Sequence, residues 1–138
     1  MPLDPAAVAR KLKLGAARSP VVLGSSDADR DALADGRGST IPDRLDGDHD
    51  WILLYAIDRA TLDGLLPAAA AALTSPGTLW IAFPKGSSKV QTDLTRDTGW
   101  DVVSGTDLMW VTLVSIDETW SAFSLRHARP GEARQAFR

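Results

Sequence analysis

The stretch that decides the fold is Trp51–Phe83, WILLYAIDRATLDGLLPAAAAALTSPGTLWIAF. Its first six residues are too continuously apolar to leave one face in water, which predicts a central strand covered on both sides. DRATLDGLLPAAAAAL follows, with Leu62, Leu65, Leu66, Ala69 and Leu73 recurring at helical spacing. Pro67 falls inside that pattern and predicts a kink or two shorter helices. TSPG reads as a turn, and TLWIAF (Thr78–Phe83) as a second buried strand. A strand, a helix and another strand in this order form a parallel crossover unit.

Working outward, the chain upstream repeats the alternation. Asp4 and Pro5 predict the start of a short amphipathic helix within residues 1–18, carrying Val8, Leu12 and Ala16. PVVLGSS (Pro20–Ser26) reads as a buried strand stopping at Gly24. SSDADRDALADG adds a helix with Ser25 or Ser26 as N-cap, acids in its first turn and Gly36 as its stop. A short edge strand is expected near Thr40 and Ile41, because Pro42 removes a ladder donor. Downstream, Leu94 and Val102–Val103 suggest a helical segment starting near Thr92 and interrupted at Gly99. Met109–Ile116 and Thr119–His127 then face each other across a short link as an antiparallel hairpin. The sum is an α/β three-layer sandwich: a mixed, mostly parallel Rossmann-like sheet ending in an antiparallel β-hairpin. Residues 1–138 make one domain, with 129–138 expected to be a flexible tail.

Composition narrows the functions. The chain contains no cysteine, which excludes disulfides and thiol chemistry. Net charge is −3, and no segment is basic enough for a nucleic-acid footprint. No apolar run is long enough to span a bilayer and the first residues lack an apolar signal core, so a cytoplasmic location is expected. DGDHD (Asp46–Asp50) lacks the glycine and the bidentate Glu of a calcium loop, and reads as a charged loop before a strand. The sequence offers no nucleophile elbow and no paired-histidine zinc motif. Trp51, Trp80, Trp110 and Trp120 fall on or beside predicted strands, where core support is their expected role. An exposed Trp on the hairpin would favour a homodimer contact there.

From Trp51 onward the order of elements resembles the second half of Rossmann-like S-adenosylmethionine-dependent methyltransferases. An acidic residue opens a central strand in DHDWILLYA, an Ala/Leu-rich helix runs into a Pro/Gly turn, and the sheet ends in a hairpin. LWIAFPKGSSKVQTDLTRDTGWD…SIDETWSAFSLR also resembles a small bacterial family of unknown function, which implies the fold and no established activity. The departures are informative. A methyltransferase carries a glycine-rich loop after its first strand so that backbone can approach the cofactor, whereas here that turn is VVLGSSDAD with the single Gly24.

Two site readings therefore stand side by side. In the first, the chain is a non-catalytic module without a cofactor. Lys85, Ser87, Ser88, Lys89 and Arg96 bind an anionic small molecule or a protein partner in the loop after TLWIAF, or that loop is simply a solvated connection. In the alternative, Gly24, Ser25 and Ser26 hold S-adenosylmethionine, with Asp43 on the ribose. Both place the ligand on one rim, beyond the carboxyl ends of the parallel strands.

Overall fold

The computed structural model describes residues 5–86, 88–90 and 92–132. Among the described residues five strands form one sheet: β1 (Pro20–Leu23), β2 (His49–Tyr55), β3 (Leu73–Pro84), β4 (Leu108–Ser115) and β5 (Trp120–His127), in the spatial order β1-β2-β3-β5-β4. The β1–β2 and β2–β3 pairs are parallel. β5 runs antiparallel to both β3 and β4, so the expected closing hairpin is present.

The sheet is covered by α1 (Pro5–Lys11), α2 (Asp27–Arg37) and α3 (Arg59–Ala72). Alternation along the strands sorts their side chains between two apolar layers. Val21, Ile52, Leu54, Leu79 and Ile81 pack with Leu62, Leu66, Ala69 and Ala70 of α3. Val22, Leu53 and Trp80 pack on the other face with Leu33 of α2 and with Val8, Ala9 and Leu12 of the N-terminal segment. Burying Leu62 and Leu66 completely, as here, contributes about 1.5–3 kcal/mol each. The indole Nε1 atoms of Trp51 and Trp80 both donate to the Leu12 carbonyl, at 2.8 and 2.9 Å. Those two bonds clamp the N-terminal segment onto the sheet.

Several local expectations need correction. α3 runs through Pro67 as one helix. The TSPG turn is absorbed into β3, whose register against β2 shifts between the His49–Leu73 and Trp51–Thr78 pairs. α2 is capped by Ser26, whose Oγ accepts from the Asp29 amide, and ends at Gly38 with φ 88° rather than at Gly36. Thr40–Pro42 is not a strand, yet the Pro42 carbonyl accepts from Val22 N–H and covers β1's outer edge. The helix expected from Thr92 does not form: Thr92–Trp100 is a chain of turns, followed by the 3-10 segment Asp101–Gly105. Asp4 and residues 133–138, which include most of the expected flexible tail, lie outside the described residues. Among the described residues no helix is long and apolar enough to cross a membrane.

Candidate functional site

Because β1, β2 and β3 are parallel and in register (Leu23 beside Leu54, Tyr55 beside Ala82), their exits at Gly24, Ala56 and Lys85 emerge on one rim. At that rim α2 leaves β1 towards one face, while α3 leaves β2 towards the other. Adjacent strands whose connections depart to opposite faces define a topological switch point, where open α/β sheets have their ligand crevice. By that rule a ligand is expected between the turn Gly24–Ser26 and the turn Ile57–Asp58.

The β1 side of this crevice is tight. Gly24 has φ +74°, and a Cβ placed on it would lie 2.6 Å from the Tyr55 carbonyl oxygen. The missing side chain therefore serves the close approach of β1 to β2. Gly24 and Ser26 are exposed on the rim, and the amides of the first α2 turn other than Asp29 have no acceptor within the helix. Asp43, its side chain 57% exposed, is paired through Oδ2 with Arg30 Nη1 at 3.1 Å. Tyr55 lines the α2 side, its ring edge-on to Trp120 at 5.0 Å. Burial, reinforced by the Asp29 and Asp117 carboxylates, pushes its phenol far above the usual range.

On the β2 side, Asp58 caps α3, its Oδ1 accepting from the Thr61 amide at 2.8 Å and from Thr61 Oγ1 at 2.7 Å. Those bonds hold its carboxyl below the usual carboxylate range. Asp93 Oδ1 accepts from the Arg59 amide at 2.9 Å, tying the later loop to the same helix end. Ile57 is 47% exposed, and with Asp58, Ala60, Val90, Thr92 and Asp93 it lines an open depression of about 440 Å³. The rim around the crevice thus carries Asp27, Asp29, Asp58 and Asp93.

The loop after β3 separates the residues that the sequence grouped. Lys85 is fixed by its amide, which donates to the Thr119 carbonyl at 2.7 Å, and by Nζ, which donates to Ser115 Oγ at 2.5 Å. Ser88 turns inward, its Oγ donating to the Lys85 carbonyl at 2.7 Å. Lys89 is exposed, and Ser87 lies outside the described residues. Arg96 pairs with its neighbour Asp97 at 3.7 Å. Lys85 and Arg96 nevertheless meet: with Phe83, Gly86, Thr95, Asp97, Leu113 and Ser121 they line a cleft of about 540 Å³. The contributions of Ile57, Asp58, Leu113 and Ser121 were missed from sequence. Asp58-x-x-Thr61 is a readable cap signal for the first pair, whereas the second depends on hairpin register.

His49 and His127 are both structural. His49 is 3% exposed, its Nε2 accepting from the Asp46 amide at 3.0 Å. His127 bridges Asp107 Oδ1 at 2.6 Å and the Leu73 carbonyl at 2.8 Å. Of the tryptophans, Trp51, Trp80 and Trp100 are buried while Trp110 and Trp120 are half-buried. Trp100 packs edge-on against Phe83, Trp110 and Phe123. The exposed apolar residues of the hairpin are Val111 and Leu113 instead.

No family model matches the chain, and no curated protein does. Solved structures do. The ribosomal protein L11 methylase of Lactobacillus delbrueckii subsp. bulgaricus is 13% identical, with a TM-score of 0.53 over 91% of this chain and 67% of that one. The mitomycin 7-O-methyltransferase MmcR is 14% identical, with a TM-score of 0.62 over 91% of this chain and 53% of that one. The N-methyltransferase NodS of Bradyrhizobium japonicum WM9 is 13% identical, with a TM-score of 0.56 over 91% and 94%. The chain thus spans about half the length of MmcR and nearly all of NodS. At these identities the likeness shows the fold: a Rossmann-like methyltransferase fold with a mixed, mostly parallel five-stranded sheet. That likeness runs against the expectation of a module without a cofactor, since the folds matched are those of S-adenosylmethionine-dependent methyltransferases.

Proposed function

We propose that the chain is a methyltransferase-like protein that takes S-adenosylmethionine at the β1–β2 switch point. The observation carrying this reading is that α2 and α3 leave adjacent parallel strands towards opposite faces. That geometry opens a crevice at the Gly24–Ser26 turn, in a fold shared with methyltransferases. The residues fit the group at this turn and not at Asp43, which Arg30 holds.

When bound, the group supplies an electrophilic methyl. The chain's own part is to hold and orient. Backbone of Gly24, Ser25 and Ser26 lies on the rim at the start of α2. Ile57 offers apolar contact. Asp58, whose Oδ1 accepts from the Thr61 amide and hydroxyl, presents a carboxylate to a hydroxyl or ammonium. With Asp27 paired to Arg30, the acids Asp29, Asp58 and Asp93 set a negative local field, which favours the cationic sulfonium over its neutral demethylated product.

Calorimetric titration tests this. S-adenosylmethionine should bind with a stoichiometry near one, more tightly than its demethylated product, and more weakly as salt rises. Absence of heat with both compounds would refute the proposal.

A further inference from the structure

The cleft beyond β3 draws on the same loop as the depression at Ile57 and Asp58 but shares none of its lining residues, and its chemistry is different. Register places its floor: Phe83 pairs with Ser121, and Ser121 with Ser115, while Leu113 pairs with Phe123. Cross-strand partners point to one face, so Phe83, Ser121 and Leu113 share the face that α3 covers further along the sheet. Phe83 stacks on Phe123 at 5.3 Å and meets Trp100 edge-on at 5.4 Å, which makes this floor rigid and aromatic-backed. Leu113 remains 40% exposed inside the cleft.

The walls supply charge. Lys85 stands on one side, its Nζ oriented by Ser115 Oγ. Arg96 and Asp97 stand on the other, as an exposed ion pair at 3.7 Å with side chains 69% and 78% accessible. An exposed pair of this kind is weak, so a ligand carboxylate can take over the guanidinium. Lys85, Arg96 and Asp97 together leave one net positive charge. That suits a monoanion better than a multiply charged phosphate ester. A volume of about 540 Å³ falls within the range of small-molecule sites, about 300–1,000 Å³.

We propose that this cleft is a binding site for a small aryl carboxylate. The ring lies on Leu113, which Phe83 backs from beneath, and the carboxylate is received by Lys85 Nζ and the Arg96 guanidinium. This site is independent of the S-adenosylmethionine reading, and either can fail alone.

The test is titration of the full chain with naphthoate, with no S-adenosylmethionine present, read by tryptophan fluorescence and by amide chemical shifts. Naphthyl-methanol (neutral) and inorganic phosphate serve as comparison probes. The proposal expects saturable naphthoate binding with shifts at Gly86, Thr95 and Ser121, and weaker binding of both comparison probes. Arg96→Ala, at an exposed turn where folding is not at stake, should weaken naphthoate about ten-fold, the loss of one charge-assisted bond. The Lys85→Met/Arg96→Ala pair should weaken it further. No saturable binding, equal affinity for the neutral probe or for phosphate, or unchanged affinity in Arg96→Ala would each overturn it.

Discussion

Replacing Gly24 by Ala separates two reasons for a glycine at the end of β1. In one, glycine lets a ligand approach; in the other, it lets β1 approach β2. The structure assigns the second, and the cost can be worked out. A non-glycine residue at φ +74° loses roughly 1–2 kcal/mol from the left-handed backbone. The new Cβ would lie 2.6 Å from the Tyr55 carbonyl oxygen, inside the 3.4 Å at which ordinary contact begins. Relieving such overpacking costs about 1–3 kcal/mol. The sum, about 2–5 kcal/mol, is a large share of the 5–15 kcal/mol typical of a folded domain. Urea unfolding of the unliganded protein, followed by tryptophan fluorescence, should show the midpoint falling by about 1–3 M at a slope near 1.5–2 kcal/mol/M. Gly105→Ala is the control: a Cβ there meets nothing within 4 Å, and the change should stay within about 0.5 kcal/mol. If Gly24→Ala matches that control, the strand-packing argument is wrong and the glycine is kept for something outside the chain.

Other expectations follow from single contacts. Trp51→Phe and Trp80→Phe each leave the Leu12 carbonyl one indole partner. The double variant orphans it, so the combined loss should exceed the sum of the singles by about 1–3 kcal/mol in a thermodynamic cycle; strict additivity would refute the shared-acceptor reading. Tyr55 is the sole tyrosine, and its folded-state pKa is raised by burial, then Asp29, then Asp117. Its contribution to stability is therefore complete below the unfolded-state value near 10 and is lost as pH rises beyond it. The phenolate absorbance should appear only together with unfolding, and a reversible rise in the folded protein near that pH would contradict the burial. Glu132 is held at about 2, first by the Arg126 side chain and then by the Arg129 amide. A lowered carboxylate stabilises above its unfolded value and loses that contribution as pH falls towards about 2. Glu132→Gln should therefore flatten the acid limb of the stability profile, and an unchanged limb would count against the pair.

How much of this was legible in the sequence varies by element, for physical reasons. WILLYA and TLWIAF announced buried parallel strands because nothing in them could face water, and the hairpin followed from two long strands with a short link. Ser26 was readable as a cap because its side chain acts on an amide within the same turn; Asp58 carried the same signal and was passed over. The Thr92–Trp100 segment misled, since its apolar spacing mimics a helix. There Trp100 Nε1 donates to the Thr95 carbonyl at 2.6 Å, and Gly99 at φ +96° packs against Asp93 and Leu94, so turns win over helix propensity. Lys85 and Arg96 were named together from a polar loop, and the structure brings them to one cleft. Its apolar floor comes from hairpin register that no local pattern encodes. Asp43 sat at a suggestive spacing from Gly24, but Arg30, one helical turn into α2, takes its carboxylate; that competition is visible only in three dimensions.

The central claim is that the β1–β2 switch point holds S-adenosylmethionine, and mapping amide chemical shifts during its titration tests that most directly. The account predicts saturable changes clustered at Gly24–Asp29 and Ile57–Thr61, with the hairpin tip at Asp117–Thr119 unmoved. No change at those two turns, or changes confined to the cleft of Lys85, Arg96 and Leu113, would contradict it.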